Sequence, residues 1–381
     1  MPTVSSLVQL IEQASAKAIL DAPPSDDHGM TESLPFPFMA LVGQTEMKTA
    51  LLLTLINPAV NGVLLIGPRG TGKTTAVRSL ADLLPLVPRS LCANGYGCMP
   101  EDVEIGGMDA VCAECAKKYG EGDPLATMDR VALLELPLNA RLEDVVGGLS
   151  ERAAAQSKLL IQRGILARAD RNLLYVDEVN LLSDEIVDAI LDAAAQGQYT
   201  VRRGALAATY RARFALIGSM NPEEGRLRPQ ILDRFGLRIV VRGLTDTAER
   251  LEAYRRVRAY LTNPRATVAA FADQTIAAGD EIQTARNLLP DVKLTAAAEK
   301  AGLELVQRMK IDSLRAEITL FESARAYAAA DSHTEATPAD VRAVAPLAVR
   351  MRRSDFMGKY FEDRQSEEAE IKTVLDSVIP E

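Results

Sequence analysis

The sequence predicts an α/β protein with a parallel sheet covered by helices on both faces, followed by a C-terminal helical bundle. From Pro35 onward, short apolar runs alternate with segments of helical periodicity, which is typical of such a sheet. Beyond Thr245 the strand pattern ends and apolar residues recur at helical spacing, which indicates the bundle. The 381 residues are enough for two or three such units, each with its own core.

Each predicted strand is a short and largely apolar segment. The predicted strands are residues 63–66, 173–177, 214–218 and 239–241. Two predicted helices of the bundle carry apolar stripes, formed by Leu294, Ala298, Ala301, Leu305 and Met309, and by Leu314, Ile318, Phe321 and Ala324. A further helix is predicted after Thr337, because Pro338 suits the first helical position and Asp340 the first turn.

Three segments are expected along the chain. Residues 1–34 form an N-terminal extension, in which Val4–Ala14 predict an amphipathic helix and residues 23–27 a linker. Residues 35–244 form the α/β domain. Residues 245–381 form the helical part, which ends in an acidic tail from Glu362.

A phosphate-binding loop is the most specific motif in the chain. The segment Gly67–Thr74 fits G-x-x-x-x-G-K-[ST] at every defined position, and it lies between a predicted strand and a predicted helix. The glycines let backbone N–H groups turn toward a polyphosphate, Lys73 reaches its β- and γ-phosphates, and Thr74 offers a hydroxyl to Mg²⁺. The predicted nucleotide-binding residues are Gly67, Pro68, Arg69, Gly70, Thr71, Gly72, Lys73, Thr74 and Thr75. A glycine-rich turn beside a surface lysine does not explain this context, so we predict that the chain binds ATP with Mg²⁺.

Two acids follow the second predicted strand. Asp177 and Glu178 come directly after Leu173–Val176, at the sheet edge where parallel sheets bind ligands. Asp177 is predicted to hold Mg²⁺ and Glu178 to deprotonate the attacking water. The alternative is a strand that ends in solvated acids before a helix capped at Ser183. Such a cap explains Ser183 but not the two acids.

Three further polar residues are candidates for the same site. Asn221 follows the next strand and is placed to bind water or the γ-phosphate, although Asn-Pro is also an ordinary turn. Arg234 suits the stabilisation of a phosphoryl-transfer transition state if a neighbouring subunit supplies it, and otherwise it is a partner for Asp233. Arg315, near the start of a predicted helix, is a candidate second contact to the γ-phosphate.

Taken in order, these motifs resemble one family. The phosphate loop, the Val-Asp-Glu strand end, and the segments 218–225, 227–236 and 314–320 resemble the I subunit of magnesium chelatase. That subunit is an AAA+ ATPase of the clade with an insert in its second helix. The resemblance extends from about Pro35 to Arg353. It implies that Asn221 is the first sensor, Arg315 the second, and Arg234 the arginine supplied in trans, and that residues 142–169 form the insert and Val201–Gly204 a hairpin.

The resemblance also implies an activity and partners. In that family, rings of the I subunit, expected to contain six copies, dock onto a D subunit. ATP hydrolysis then drives insertion of Mg²⁺ into protoporphyrin IX on an H subunit, in chlorophyll and bacteriochlorophyll biosynthesis. A remodelling chaperone of the MoxR type, acting on a partner with an integrin-type domain, shares every ATP-site residue and stays open as the alternative.

Composition and charge argue against other classes. No apolar run approaches the roughly 20 residues of a membrane span, and the first residues lack the features of a signal peptide, so a cytoplasmic protein is expected. A net charge of −9, the lack of Trp and an aromatic content of 4% disfavour a nucleic-acid partner. A helicase of the same clade needs basic hairpin tips, for which Arg202 and Arg203 are the candidates.

All four cysteines fall in one loop of the α/β domain. Cys92 and Cys98 form a first pair, and Cys112 and Cys115 form a Cys-x-x-Cys pair. Two such pairs can supply the four thiolates of a structural zinc site, although the first pair is spaced more loosely than in most zinc ribbons, and an iron–sulfur cluster uses the same ligands. Reversible thiol chemistry and uncoordinated thiols stay open as alternatives, whereas a reducing cytoplasm argues against stable disulfides.

Overall fold

A computed structural model describes residues 34–94, 96–149, 161–203, 206–225 and 227–353. The amphipathic helix predicted at Val4–Ala14, the linker at residues 23–27 and the acidic tail lie outside these residues. None of the helices in the described ranges is both long enough and apolar enough to cross a bilayer.

The strands are numbered in chain order. They are β1 Val63–Ile66, β2 Leu86–Ser90, β3 Ala126–Arg130, β4 Leu133–Leu136, β5 Gly147–Leu149, β6 Ile161–Arg163, β7 Leu173–Val176, β8 Gln198–Arg203, β9 Leu206–Arg211, β10 Ala215–Met220, β11 Leu237–Val240, β12 Lys293–Leu294 and β13 Glu335–Ala336. The predicted strand 63–66 agrees with β1 at both ends, and the other three correspond to β7, β10 and β11 with ends that differ by one or two residues.

The α-helices are numbered in the same way. They are α1 Thr45–Ile56, α2 Lys73–Arg78, α3 Pro100–Gly106, α4 Ala113–Gly120, α5 Leu142–Val146, α6 Ile165–Arg168, α7 Asp184–Gln196, α8 Pro229–Arg234, α9 Thr247–Thr262, α10 Pro264–Ala270, α11 Ala272–Leu288, α12 Ala296–Arg308, α13 Leu314–Ala330 and α14 Pro338–Val349. Short 3₁₀ turns lie at Phe38–Ala40, Pro58–Val60, Ser79–Leu83, Met108–Ala110, Val179–Leu181 and Leu289–Asp291.

A five-stranded sheet in the order β11–β1–β10–β7–β4 forms the centre of the α/β domain, and every pair in it is parallel. Alternate residues of β1 enter two cores. Val63 and Leu65 pack with α1 on one face, and Leu64 and Ile66 pack with α7 on the other. Helices on both faces bury β1 completely, which explains its uninterrupted apolar sequence and confirms the predicted fold class.

Strand β4 was not among the predicted strands. It lies at the edge of the sheet, where Leu133 and Leu134 are only half buried and Glu135 is exposed. The charge at Glu135 breaks the apolar run that marks the buried strands. Because β4 lies at the edge of the sheet, a charged side chain is acceptable in it, and its apolar pattern is correspondingly weak.

The first core continues into the helices after Thr245. Ala278 and Ile282 of α11, and Leu320 and Ala324 of α13, belong to the same cluster as α1. One prediction for this part was wrong, because the two-residue strands β12 and β13 pair in parallel here. The capping of α14 is confirmed, since the Thr337 N–H and hydroxyl both donate to Asp340.

The buried face of α13 differs from the predicted stripe. Leu314 is 76% exposed and Ile318 is 52% exposed, whereas Ala316, Leu320 and Ala324 are buried. In α12 the buried line is Ala298, Gly302 and Val306. Small residues let these helices approach closely, so helical periodicity identified the helices but not the side that packs.

Two hairpins extend from the sheet near the predicted insert. The segment 142–169 contains α5, the antiparallel pair β5–β6 and α6, with residues 150–160 outside the described ranges. The hairpin predicted at Val201–Gly204 corresponds to the antiparallel pair β8–β9, with residues 204 and 205 outside the described ranges. Strand β9 ends at Arg211 and leads directly into β10, which runs through the centre of the sheet.

Candidate functional site

The loop between β1 and α2 has the backbone that its glycines permit. Gly70 and Gly72 have φ of +76° and +84°, in the left-handed region that side chains disfavour. A Cβ on Gly67 would lie 2.1 Å from the carbonyl oxygen of Val241, so only glycine fits there. The loop is thus open to a ligand and closely packed against Val241, the residue that follows β11.

Lys73 lies at the start of α2 and is 9% exposed. Its Nζ donates to the carbonyl oxygens of Gly67 at 2.7 Å and Pro68 at 2.8 Å. Burial lowers the pKa of Lys73, and the nearby carboxylates of Asp177 and Glu178 oppose that shift. The loop carbonyls therefore hold the ammonium group beside the two acids.

Asp177 stands directly across from Thr74. The Thr74 hydroxyl donates to Asp177 Oδ2 at 3.2 Å, and the Tyr175 hydroxyl donates to Asp177 Oδ1 at 2.8 Å. The Ser219 hydroxyl also donates to Oδ1. A hydroxyl facing a carboxylate at a phosphate loop is the oxygen-donor set that suits Mg²⁺, so Thr74 and Asp177 are the residues that can hold it.

Tyr175 and Ser219 were missed by sequence reasoning. Tyr175 is 1% exposed, and burial raises its pKa, so the neutral phenol acts as a hydrogen-bond donor to Asp177. Ser219 is completely buried in β10, the strand next to β7. The available signal was position, because both side chains lie near the carboxyl end of a predicted strand.

Glu178 adopts an unusual backbone conformation at the end of β7. Its φ of +47° lies in the left-handed region, and its N–H donates to Ser219 Oγ at 3.0 Å. One carboxylate oxygen lies 3.6 Å from the guanidinium of Arg69, which also pairs with Glu224. The side chain of Arg69 is 72% exposed, so this pairing is solvated.

Asn221 follows β10 and faces the same cavity. It is 3% exposed, and its Oδ1 accepts from the backbone N–H of Glu223 at 3.2 Å. The cavity of ≈ 300 Å³ is lined by residues of the phosphate loop and the two strand ends: Arg69, Gly70, Thr71, Gly72, Lys73, Thr74, Thr75, Asp177, Glu178, Ser219, Met220 and Asn221. The structure therefore brings the loop, both acids and Asn221 together.

A second, more apolar cavity of ≈ 520 Å³ adjoins the first through Gly70–Gly72 and Thr75. Phe36, Leu41, Leu244 and Val257 are among the residues that line it. An apolar slot that opens onto a phosphate loop suits a nucleoside base. The contribution of Leu244 and Val257 was not predicted, since they lie far along the chain from the loop.

Two predicted site residues do not reach either cavity in this chain. Arg234 pairs with Asp192 of α7, with 2.5 Å between Nη1 and Oδ1. Arg315 pairs instead with Asp233, with 3.2 Å between Nη1 and Oδ2. The suggested pairing of Arg234 with Asp233 is therefore wrong, because adjacent residues of α8 point to different neighbours. Ser183 occupies the predicted cap position of α7, but its side chain makes no capping hydrogen bond.

The four cysteines come together in the loop between β2 and β3. All four Sγ atoms lie within 4.8 Å of one another. Burial raises the pKa of the Cys98 thiol to about 11. Burial acts the same way on Cys112, but hydrogen bonds from the Cys115 N–H and from Asn94 outweigh it and lower the pKa of Cys112 to about 7. The cluster has the ligand number and type of a closed thiolate metal centre.

The fold and the nucleotide site together define an ATPase of the AAA class. Residues 61–224 match the family model described as the AAA domain, and residues 302–374 match the AAA lid domain. The magnesium-chelatase 38 kDa subunit of Acidiphilium rubrum is 43% identical over 318 residues, which are 83% of this chain and 90% of that protein. The chain therefore belongs to the family of magnesium-chelatase I subunits.

Two further relatives are similar to this chain over most of its length. The magnesium-chelatase subunit ChlI homolog of Methanocaldococcus jannaschii is 41% identical, over 84% of this chain and 87% of its own length. Subunit ChlI of Nostoc sp. is 39% identical, over 83% of this chain and 84% of its own length.

Two solved structures are also similar. A chain of the BchI–BchD magnesium chelatase complex, based on a 7.5 Å cryo-EM reconstruction, is 38% identical. The match covers 84% of this chain and 97% of that chain, with a TM-score of 0.46. A crystal structure from Cytophaga hutchinsonii shares the fold, with 19% identity, 88% and 91% coverage and a TM-score of 0.52.

Proposed function

We propose that this chain is the ATP-hydrolysing subunit of a magnesium chelatase, and that it works as a ring in which each nucleotide lies between two copies. One observation supports the hydrolytic site above all. The hydroxyl of Thr74 and the carboxylate of Asp177 are 3.2 Å apart beside the glycine-rich loop, and Glu178 is the next residue in the chain. Bound Mg²⁺ would neutralise the developing charge on the phosphates.

Glu178 is the proposed base for the attacking water. Its left-handed backbone and the hydrogen bond to Ser219 turn it away from the line of β7, toward the phosphate cavity. Lys73 contributes positive charge at the β- and γ-phosphates, and Asn221 contributes an amide at the far wall. The Arg69 guanidinium must move when Glu178 acts, and its exposure makes that movement easy.

Arg234 is proposed to act on the nucleotide of a neighbouring copy, and Arg315 is proposed to contact the γ-phosphate as the second sensor. Arg234 is paired with Asp192 on α7, 28% exposed, and away from the cavity of its own chain. Such a position is compatible with a guanidinium that enters the site of the next copy. Arg315 begins α13 and is 49% exposed, so a small helix shift would release it from Asp233 toward a γ-phosphate.

Family membership supports the proposed coupled reaction. Hydrolysis in a ring, proposed to have six subunits, would drive a D subunit and deliver Mg²⁺ into protoporphyrin IX on an H subunit in the cytoplasm, for chlorophyll or bacteriochlorophyll biosynthesis. Here the inserted Mg²⁺ is substrate. Reconstitution with D and H subunits, followed by metalloporphyrin absorbance with and without ATP, tests it. Metal insertion that needs no ATP or no I subunit would contradict the proposal.

The hydrolytic roles are tested by two substitutions with a matched control. Lys73→Ala should lose both binding and hydrolysis, because the charge at the phosphates is removed. Glu178→Gln should retain ATP binding and lose hydrolysis by roughly 10²-fold or more. Glu185→Gln makes the same change at an exposed position of α7 and should hydrolyse normally. Full activity in Glu178→Gln would remove this residue from the role of base.

Mixing two inactive variants tests the supply of Arg234 in trans. In a ring of Arg234→Ala and Glu178→Gln copies, about a quarter of the interfaces at equal mixing would pair an intact base with an intact arginine. We therefore expect ATPase activity to return on mixing, as measured by phosphate release. Mixtures that remain inactive although both variants co-assemble would contradict action in trans.

A further inference from the structure

The cysteine cluster is built to the dimensions of a single tetrahedral ion. Zinc held by four thiolates has Zn–S distances of ~2.3 Å, which places the sulfurs roughly 3.8 Å apart. In this chain Cys92 Sγ and Cys112 Sγ are 3.8 Å apart, and all four sulfurs lie within 4.8 Å of one another. These distances do not depend on any property of the ATP site.

The surroundings of the sulfurs also suit a thiolate centre. The backbone N–H of Cys112 donates to Cys98 Sγ at 3.4 Å, and the Asn94 amide donates to Cys112 Sγ at 3.6 Å. Val111 and Leu125 pack against the cluster, in which Cys92, Cys98 and Cys115 are buried. Hydrogen bonds to sulfur and surrounding apolar side chains hold the thiolate ligands of a metal in place.

The same distances argue against the other occupants. In an iron–sulfur cluster the four thiolates are divided among two or four irons, so sulfurs bound to different irons lie farther apart than four sulfurs around one ion. A disulfide needs ~2.05 Å between sulfurs, and Cys92 and Cys112 are nearly twice as far apart. Among divalent ions, zinc binds soft thiolates more tightly than ferrous iron does.

The loop that carries these ligands is joined to the hairpin β8–β9. Arg211, the last residue of β9, donates to the carbonyl oxygen of Gly97 at 2.7 Å and pairs with Asp102 at 2.7 Å. Tyr96 stacks on Tyr210 with 5.9 Å between ring centroids. Tyr96 and Gly97, which make these contacts, lie two residues and one residue before Cys98 in the chain. Strand β9 leads directly into β10, which carries Ser219.

We propose that the four cysteines bind one structural zinc ion, and that the closed loop thereby braces the hairpin β8–β9 against the α/β domain. The loop between β2 and β3 is more than 30 residues long, and its own apolar cluster is small. Zinc therefore adds stability that this cluster does not supply. The hairpin depends on the loop because Arg211 is bonded to it at two points.

Metal analysis of the full-length protein, purified without added metal, tests the first half of the proposal. We expect about one zinc ion per chain and no iron. Because the chain has four cysteines, all in this loop, every thiol reacting with an organomercurial reports on the cluster. Titration should release about one zinc per four thiols. Four freely reactive thiols without metal, or iron in place of zinc, would overturn it.

The double substitution Cys112→Ser with Cys115→Ser should abolish zinc binding. Circular dichroism and retained ATP binding would show that the variant is folded. If that variant does not fold, removal of zinc from the wild-type protein by the organomercurial gives the same comparison. Zinc that remains at full stoichiometry in a folded double variant would place the ion elsewhere and overturn the assignment.

Hydrogen exchange measures the bracing. On removal of zinc, amides of β8 and β9 should exchange at least roughly tenfold faster, while those of α14 stay unchanged. Arg211→Ala should keep its zinc and show the same faster exchange in the hairpin, because the bonds to Gly97 and Asp102 are lost. Unchanged exchange in β8–β9 after zinc removal would overturn the bracing role.

Discussion

Asp233 joins the α/β domain to the helical bundle through several hydrogen bonds. Its Oδ1 accepts from Arg352 Nη1 at 2.9 Å, and its Oδ2 accepts from Ser313 at 3.0 Å and from Arg315 at 3.2 Å. Arg238 lies 3.5 Å away on β11. We predict that Asp233→Asn destabilises the protein far more than the loss of an ordinary surface charge.

The size of the effect depends on the burial of the cations. The side chain of Arg352 is 0% exposed and that of Arg238 is 1% exposed. Removing one partner of a buried ion pair leaves an uncompensated charge and costs about 3–5 kcal/mol. Arg352 keeps its hydrogen bonds to the carbonyl oxygens of Phe235 and Gly236. We therefore expect the lower end, about 3 kcal/mol.

Urea unfolding followed by circular dichroism measures this loss. The matched control is Glu46→Gln, which breaks the bidentate pair with Arg350 at 2.8 and 3.1 Å. Glu46 is 51% exposed in that pair, so the control should lose at most about 1 kcal/mol. Equal midpoints for the two variants would show that the charge of Asp233 is not what stabilises the buried arginines.

The same residue predicts the acid side of the stability profile. Burial raises the pKa of Asp233, but the hydrogen bond from Ser313 and the charge of Arg352 outweigh it and hold the pKa below its usual value. A depressed carboxyl pKa contributes stability above the unfolded value of about 3.9, and that stability is lost as pH falls through the folded value. Below about pH 4 the difference in unfolding free energy between wild type and Asp233→Asn should become smaller. A difference that stays constant with pH would contradict this.

Three further substitutions test the packing of two glycines and the hydrogen bonds of the site. Gly236→Ala should destabilise by about 3 kcal/mol or more, because the added Cβ would lie 1.7 Å from the carbonyl oxygen of Val60. Gly120→Ala, whose added Cβ has no atom of the described residues within 4 Å, should stay within about 0.5 kcal/mol. Equal melting temperatures for the two glycine variants would contradict this difference. Ser219→Ala should lower kcat roughly tenfold with unchanged ATP affinity, since the Glu178 N–H loses its acceptor. An unchanged kcat would contradict this.

The edge strand and the bundle show where sequence patterns were insufficient. Glu135 interrupts the apolar run of β4, and the strand is acceptable only because it lies at the edge of the sheet. In α13, Leu314 and Ile318 are exposed although they share a helical stripe with buried residues. In both cases the pattern along the chain specifies the element, and its neighbours specify which side is buried.

The ion pairs show the same limit. The sequence suggested Asp233 as a partner for Arg234, because the two are adjacent in α8. Side chains one residue apart on a helix do not face each other, so Arg234 meets Asp192 while Asp233 meets Arg315 and Arg352. These partners lie about 40 to 120 residues away, and no local pattern points to them.

Contiguous residues were sufficient to identify the nucleotide loop, the two acids after β7, the cysteine cluster and the family. Each of these motifs lies within a short stretch of the chain, so its residue types and their spacing can be interpreted without knowing how the chain packs. Only the packed chain placed Tyr175 and Ser219 around Asp177, and brought Val257 and Phe36 into the lining of the apolar cavity beside the phosphate loop. Such contacts arise when distant segments bury their apolar faces against one another, so they depend on the whole core rather than on any stretch of sequence.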